Sequence, residues 1–154
     1  MLKYSVLFTA IVSSGAIAQA QSIWQSGGGE GSHYAYVTDG GFVESSYQNG
    51  IMLFCPDDGR KGRSCELRVK VDGELPRART AVTFEFSDGL QITRLAESVS
   101  GGKPQIGWEW EGQLITALRS QSSVVVSIAD GPKHTFTLRG SSGAIRKAMD
   151  QKAG

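Results

Sequence analysis

Two tryptophans and two glutamates alternate at Trp108-Glu109-Trp110-Glu111. Paired carboxylates beside indoles suit a sugar-cleaving site, with one acid and one base or nucleophile. In a strand, residues i and i+2 lie about 6.5–7 Å apart on one face. Glu109 and Glu111 reach that spacing, yet both point to the same side instead of flanking a bond. A buried Trp pair with a solvated Glu pair accounts for the same alternation. A carbohydrate-active enzyme using Glu109 and Glu111 therefore stands as an alternative reading only.

Other chemistries have less support. The two histidines, His33 and His134, lie far apart in the chain without a nearby Cys or carboxylate cluster, so no metal site and no cofactor are expected. His134 is in phase with Phe136 and Leu138 and reads as a hydrogen-bonded residue at a strand end. Gly140-Ser141-Ser142-Gly143 lacks the spacing of a Gly-x-Ser-x-Gly nucleophile elbow; Ser141 or Ser142 is expected to cap a helix. Gly27-Gly28-Gly29-Glu30-Gly31 resembles a phosphate loop in composition alone. No strand precedes it and no Gly-Lys-Ser/Thr ends it, so a flexible loop is expected there. No catalytic residue is assigned, and the chain is read as a non-enzyme.

The charged loop between the two cysteines, Cys55 and Cys65, is the stronger candidate. Asp57 and Asp58 are followed by Arg60, Lys61 and Arg63 around two glycines. Binding residues often sit on loops held by a rigid scaffold. Three cations within four residues would suit an anionic partner.

The elements on either side must hold that loop. In residues 51–71, Ile51, Leu53 and Cys55 share one face of a strand. Cys65, Leu67, Val69 and Val71 share one face of the next, while Glu66, Arg68 and Lys70 face water. The parity permits a Cys55–Cys65 disulfide across the hairpin. Residues 1–20 read as a secretory signal peptide: Lys3, a short apolar run from Val6 to Val12, and the small-x-small site Ala18-Gln19-Ala20. The apolar run is too short to span a membrane, and no transmembrane helix is expected after its removal. A periplasmic or secreted destination is oxidising and favours the disulfide.

Of 154 residues, 16 are Lys or Arg and 15 are Asp or Glu; loss of Lys3 leaves the mature chain balanced. Such a chain has no global field for nucleic acid. Residues 21–154 have the size of one ordinary domain. Short apolar runs between glycine-containing turns indicate an all-β fold. Strands are expected at 34–37, 42–47, 82–86, 90–95, 124–128 and 134–139. Residues 114–118 fit a helical turn or a short strand. Ala144, Ile145, Ala148 and Met149 recur on one face of a closing helix. The expected architecture is a single-domain antiparallel β-sandwich or strongly curved barrel with a short C-terminal helix.

Residues 136–145, Phe-Thr-Leu-Arg-Gly-Ser-Ser-Gly-Ala-Ile, resemble the closing strand–turn–helix of the invasion-associated locus B family of small secreted bacterial proteins. Trp24 and the cysteine-bearing strand at Cys55 add to the likeness. Together these features cover about a third of the chain. The Ser141-Ser142 pair replaces a usually bulkier residue, and a C-terminal cysteine is missing. The resemblance implies an envelope or host-interaction role and no reaction. The sequence thus leads to an exported binding protein of the bacterial envelope whose partner is a protein or an anionic envelope component. An inhibitor of an envelope-degrading enzyme such as lysozyme is the first alternative.

Overall fold

The computed structural model describes residues 23–41, 43–56, 65–97, 105–106 and 112–150. Among these residues nine strands form one open antiparallel sheet in the order β1-β2-β3-β4-β7-β6-β5-β8-β9. They are β1 (Gln25–Gly29), β2 (Ser32–Thr38), β3 (Gly50–Pro56), β4 (Glu66–Lys70), β5 (Ala81–Phe86), β6 (Gln91–Glu97), β7 (Gln105–Ile106), β8 (Ser123–Ile128) and β9 (Lys133–Thr137). Two short helices, α1 (Gln113–Ser120) and α2 (Ser141–Met149), complete the described fold.

The expected antiparallel, mostly β fold with a C-terminal helix is present, but in place of a β-sandwich or strongly curved barrel the strands form one open sheet. β7 is only two residues long, but Ile106 pairs with Leu67 on one side and Ala96 on the other. That bridge merges two four-stranded blocks, β1–β4 and β6-β5-β8-β9, into one sheet. The sheet curls far enough for its ends to meet at Trp24. The Trp24 N–H donates to the Arg139 carbonyl at 3.1 Å, and its indole N–H donates to the Thr137 carbonyl at 3.0 Å. No β1–β9 ladder follows, because the chain turns away. Gly140, at φ 83°, occupies the left-handed region open to glycine and directs the chain into α2. Gly140, and not Ser141 or Ser142, precedes the helix; Ser141 lies inside its first turn and is buried. The capping expectation for the two serines is therefore overturned.

The core follows the alternation of the strands. Ile51, Leu53 and Cys55 face Leu67, Val69 and Cys65 across the central hairpin. Val82, Phe84, Phe86, Val124, Val126 and Phe136 do the same in the second block. α1 settles the ambiguity at 114–118 as a helix and buries Leu114, Ile115, Ala117 and Leu118. α2 buries Ala144, Ile145, Ala148 and Met149, and all these residues join one apolar cluster.

Two local expectations change. The loop expected at 27–31 shrinks to a turn at Glu30 and Gly31: Gly27–Gly29 complete β1, paired with Tyr34, His33 and Ser32. A Cβ at Gly27 would stand 2.5 Å from the Tyr34 ring, and one at Gly28 would overlap the His33 ring. The rings of β2 occupy the space that side chains on β1 would need. Nor do residues 43–47 form a strand. Glu44–Ser46 make one 3-10 turn, held where the Gly40 backbone packs against Ser46 too closely for a side chain.

Candidate functional site on the outward face of the first block

The Cys55–Cys65 disulfide is present, with the two Cα atoms 4.0 Å apart. It extends the β3–β4 register by one further inward-facing pair. Arg60, Lys61 and Arg63, with Asp57 and Asp58, lie outside the described residues, as do Trp108, Glu109, Trp110 and Glu111. Among the described residues, no three His, Cys, Asp or Glu side chains gather as metal ligands. His134 packs its ring against Phe136, with centroids 4.7 Å apart. His33 lies instead near Lys147 of α2, in a depression beside β1.

The structure draws together a group that sequence reasoning missed. Register places Tyr34 beside Phe54 and Tyr36 beside Met52. It then places Phe54 beside Glu66 and Met52 beside Arg68. These side chains occupy the face opposite the apolar core, because their neighbours Ala35, Leu53 and Leu67 point inward and are fully buried. The result is a strip of aromatic and cationic groups across three strands.

The rings and the charged groups are held by specific contacts. The Tyr34 and Tyr36 rings lie 5.9 Å apart. The Tyr36 hydroxyl donates to Gln25 Oε1 at 2.7 Å. Burial, and then the neighbouring Tyr34, raise the Tyr36 pKa above the usual phenol value. The Arg68 guanidinium stands 5.4 Å from the Phe54 centroid and pairs with Glu66. Its Nε is buried and has no hydrogen-bond partner among the described residues. Lys70 Nζ lies 5.1 Å from the Tyr47 centroid and donates to the Tyr47 carbonyl at 2.9 Å. Cation–π placement of this kind lets a cation rest on an apolar surface while keeping its charge.

Asp39 braces one end of the strip. Its Oδ1 accepts the N–H groups of Gln48 and Asn49 at 2.9 and 3.0 Å, and its Oδ2 accepts the Asn49 amide at 2.7 Å. Burial works to raise the Asp39 pKa, but these hydrogen bonds, with a smaller contribution from His134, outweigh it and hold the pKa below the usual carboxylate value. Asn49 Oδ1 in turn accepts the Asp72 N–H at 2.8 Å. The turns that begin β3 and follow β4 are thus fixed to the end of β2.

Comparison with known proteins finds no counterpart: no protein-family model, curated protein or solved structure matches this chain. Part of the strip was readable in advance, since the outward phase of Glu66, Arg68 and Lys70 is plain from alternation. Its aromatic members were not placed with those cations, because that needs the register between β2, β3 and β4, a non-local quantity.

Proposed function

We propose that this chain is an exported, non-enzymatic binding protein of the bacterial envelope that docks an anionic partner on the outward face of β2–β4. One observation carries the reading: Tyr34, Tyr36 and Phe54 form a half-buried aromatic surface with Arg68 held over its edge. An outward sheet face in water ordinarily carries polar residues. Aromatic rings and arginine are the residue types that dominate binding surfaces. Their prior ordering lowers the entropy lost on association. The disulfide fits an oxidising compartment, and an envelope role is what the invasion-associated locus B resemblance implies. Arg60, Lys61 and Arg63 belong to the segment that the Cys55–Cys65 bridge ties to this hairpin, and they add charge of the same sign.

The test is titration calorimetry with an acidic polysaccharide, polygalacturonate, against neutral dextran, at low and high salt. Binding to polygalacturonate alone, weakening as salt rises, is expected, because exposed charges are screened over about 8 Å at physiological ionic strength. A Tyr34→Ala/Arg68→Gln double variant should bind about tenfold more weakly, the loss of one or two kcal/mol of contact. An Arg60/Lys61/Arg63→Ala variant should lose affinity mainly at low salt. Equal binding of both polymers, or unchanged affinity in the folded double variant, overturns the reading. Stoichiometric inhibition of lysozyme, a cationic enzyme, would favour the inhibitor alternative and would have to engage Asp57 and Asp58.

A further inference from the structure

The sheet's two ends meet at one residue and then part. The Trp24 N–H points away from β2, towards the Arg139 carbonyl. Alternate residues of a strand direct their backbone groups to the same side. The N–H and C=O of Ser26 and Gly28 therefore also point away from β2. β1 ends the strand order, so among the described residues no strand of the sheet lies beside them. The chain that could have paired with them leaves at Gly140 and enters α2. What remains is a depression of about 410 Å³ lined by Ser26, Gly27, Gly28, Gly29, His33 and Lys147.

We propose that this gap binds an extended peptide bearing an acidic side chain, added to β1 as one more strand. Three features point to that occupant. First, this edge has no partner strand among the described residues and offers donors and acceptors in strand geometry, the pattern that an incoming strand completes. Second, β1 lacks the devices that usually blunt an edge. It contains no Lys, Asp, Glu or Pro, whereas β9 at the other end starts at Lys133 directly after Pro132. Third, Lys147 stands on the wall of the depression, so the residue that faces it should be anionic. β1 has the length to pair about five residues, roughly 17 Å of extended chain. This site is separate from the outward face of β2–β4 and does not depend on it.

Amide hydrogen exchange by NMR tests the proposal, using the disulfide-bonded protein and the peptide acetyl-Thr-Val-Asp-Val-Thr-amide, with a counterpart carrying Lys in place of Asp. In the free protein the Ser26 and Gly28 amides should exchange fast, unlike that of Gly27, which faces β2. The Asp peptide should protect both and bind at least about fivefold more tightly than the Lys peptide, the worth of one charge-assisted contact. Ser26→Pro removes one outward N–H from an edge position that tolerates proline and should weaken binding about fivefold. Lys147→Glu, on an exposed helix position, should reverse the Asp-over-Lys preference and serves as the variant whose fold is least disturbed. Protection of Ser26 and Gly28 in the free monomer overturns the proposal. So does protection that grows with protein concentration, which would make a second copy the occupant. A response of Lys147 to inorganic phosphate, with neither amide protected by peptide, would reduce the gap to an anion site and also overturn it.

Discussion

The two blocks of the sheet share a core and differ in what they turn outward. In β5, β6, β8 and β9 the outward residues include Thr83, Thr93, Glu85, Lys133 and Thr135, with Leu95 and Val125 the larger apolar ones and no aromatic ring among them. Thr83 and Thr93 join hydroxyls at 3.1 Å, and Lys133 reaches Glu85 at 2.7 Å with both side chains well exposed. Such a face is satisfied by water and by its own short-range pairs. In β2–β4 the same positions hold Tyr34, Tyr36, Phe54, Glu66, Arg68 and Lys70, with Met52 buried among them. The edges differ in parallel: β9 begins at Lys133 after Pro132, whereas β1 is built from Gln, Ser and Gly. The second block has the composition of a scaffold, and the first carries the aromatic and cationic groups on which the proposed contact surface rests.

The comparison depends on Trp24, which fastens the first block to the end of the second. Trp24→Ala should produce the largest effect, a loss of about 3–5 kcal/mol from removing a buried indole, read from the urea midpoint. Trp24→Phe keeps most of the packing but gives up the bond to the Thr137 carbonyl, and should cost about 1 kcal/mol beyond any packing change. A shift under 1 kcal/mol for the alanine variant would mean that the two ends hold together without this residue.

Next in size is the Cys55→Ser/Cys65→Ser pair. Opening this short loop should cost about 2–3 kcal/mol, and reductant should act on the wild type alone. Hydrogen exchange should rise first in β3 and β4, leaving β5 and β8 as the last protected strands. Uniform loosening of both blocks would show that they unfold as one unit.

A smaller effect is expected at Asp39, and it depends on pH. Its folded pKa is depressed, so its contribution is present above the unfolded carboxylate value of about 3.9 and is lost as pH falls through the lower folded value. Asp39→Asn should remove that acid dependence and cost about 0.5–1 kcal/mol at neutral pH, allowing for solvent screening. Urea titrations between pH 2 and 7 read both quantities. An unchanged acid slope would place the stabilisation elsewhere.

The smallest effects should come from the scaffold block. Thr83→Val and Thr93→Val together should stay within about 0.5 kcal/mol and leave polygalacturonate binding unaltered. A loss of binding in that variant would move the contact surface across the sheet and erase the distinction between the blocks.

Local alternation by itself determined the central hairpin, the inward phase of Cys55 and Cys65, the β5, β8 and β9 strands, and the amphipathic closing helix. These features rest on short-range periodicity and on covalent spacing, which sequence carries directly. Only the tertiary structure decided the rest. Residues 27–31 read as a loop because glycine has weak strand propensity, yet Gly27–Gly29 complete β1, with the Tyr34 and His33 rings filling the space beside Gly27 and Gly28, and only Glu30 and Gly31 turn. Residues 43–47 lost their expected strand because Asp39 captures Gln48 and Asn49 and draws the chain into a turn. Leu90 was expected within a strand; β6 begins at Gln91 and continues to Glu97, leaving Leu95 on the outward face. The open sheet, the outermost place of β1 among the described strands and the alignment of Tyr34, Phe54 and Arg68 all depend on register between segments far apart in the chain. Register is set by how distant apolar faces pack together, and no short stretch of sequence contains that information.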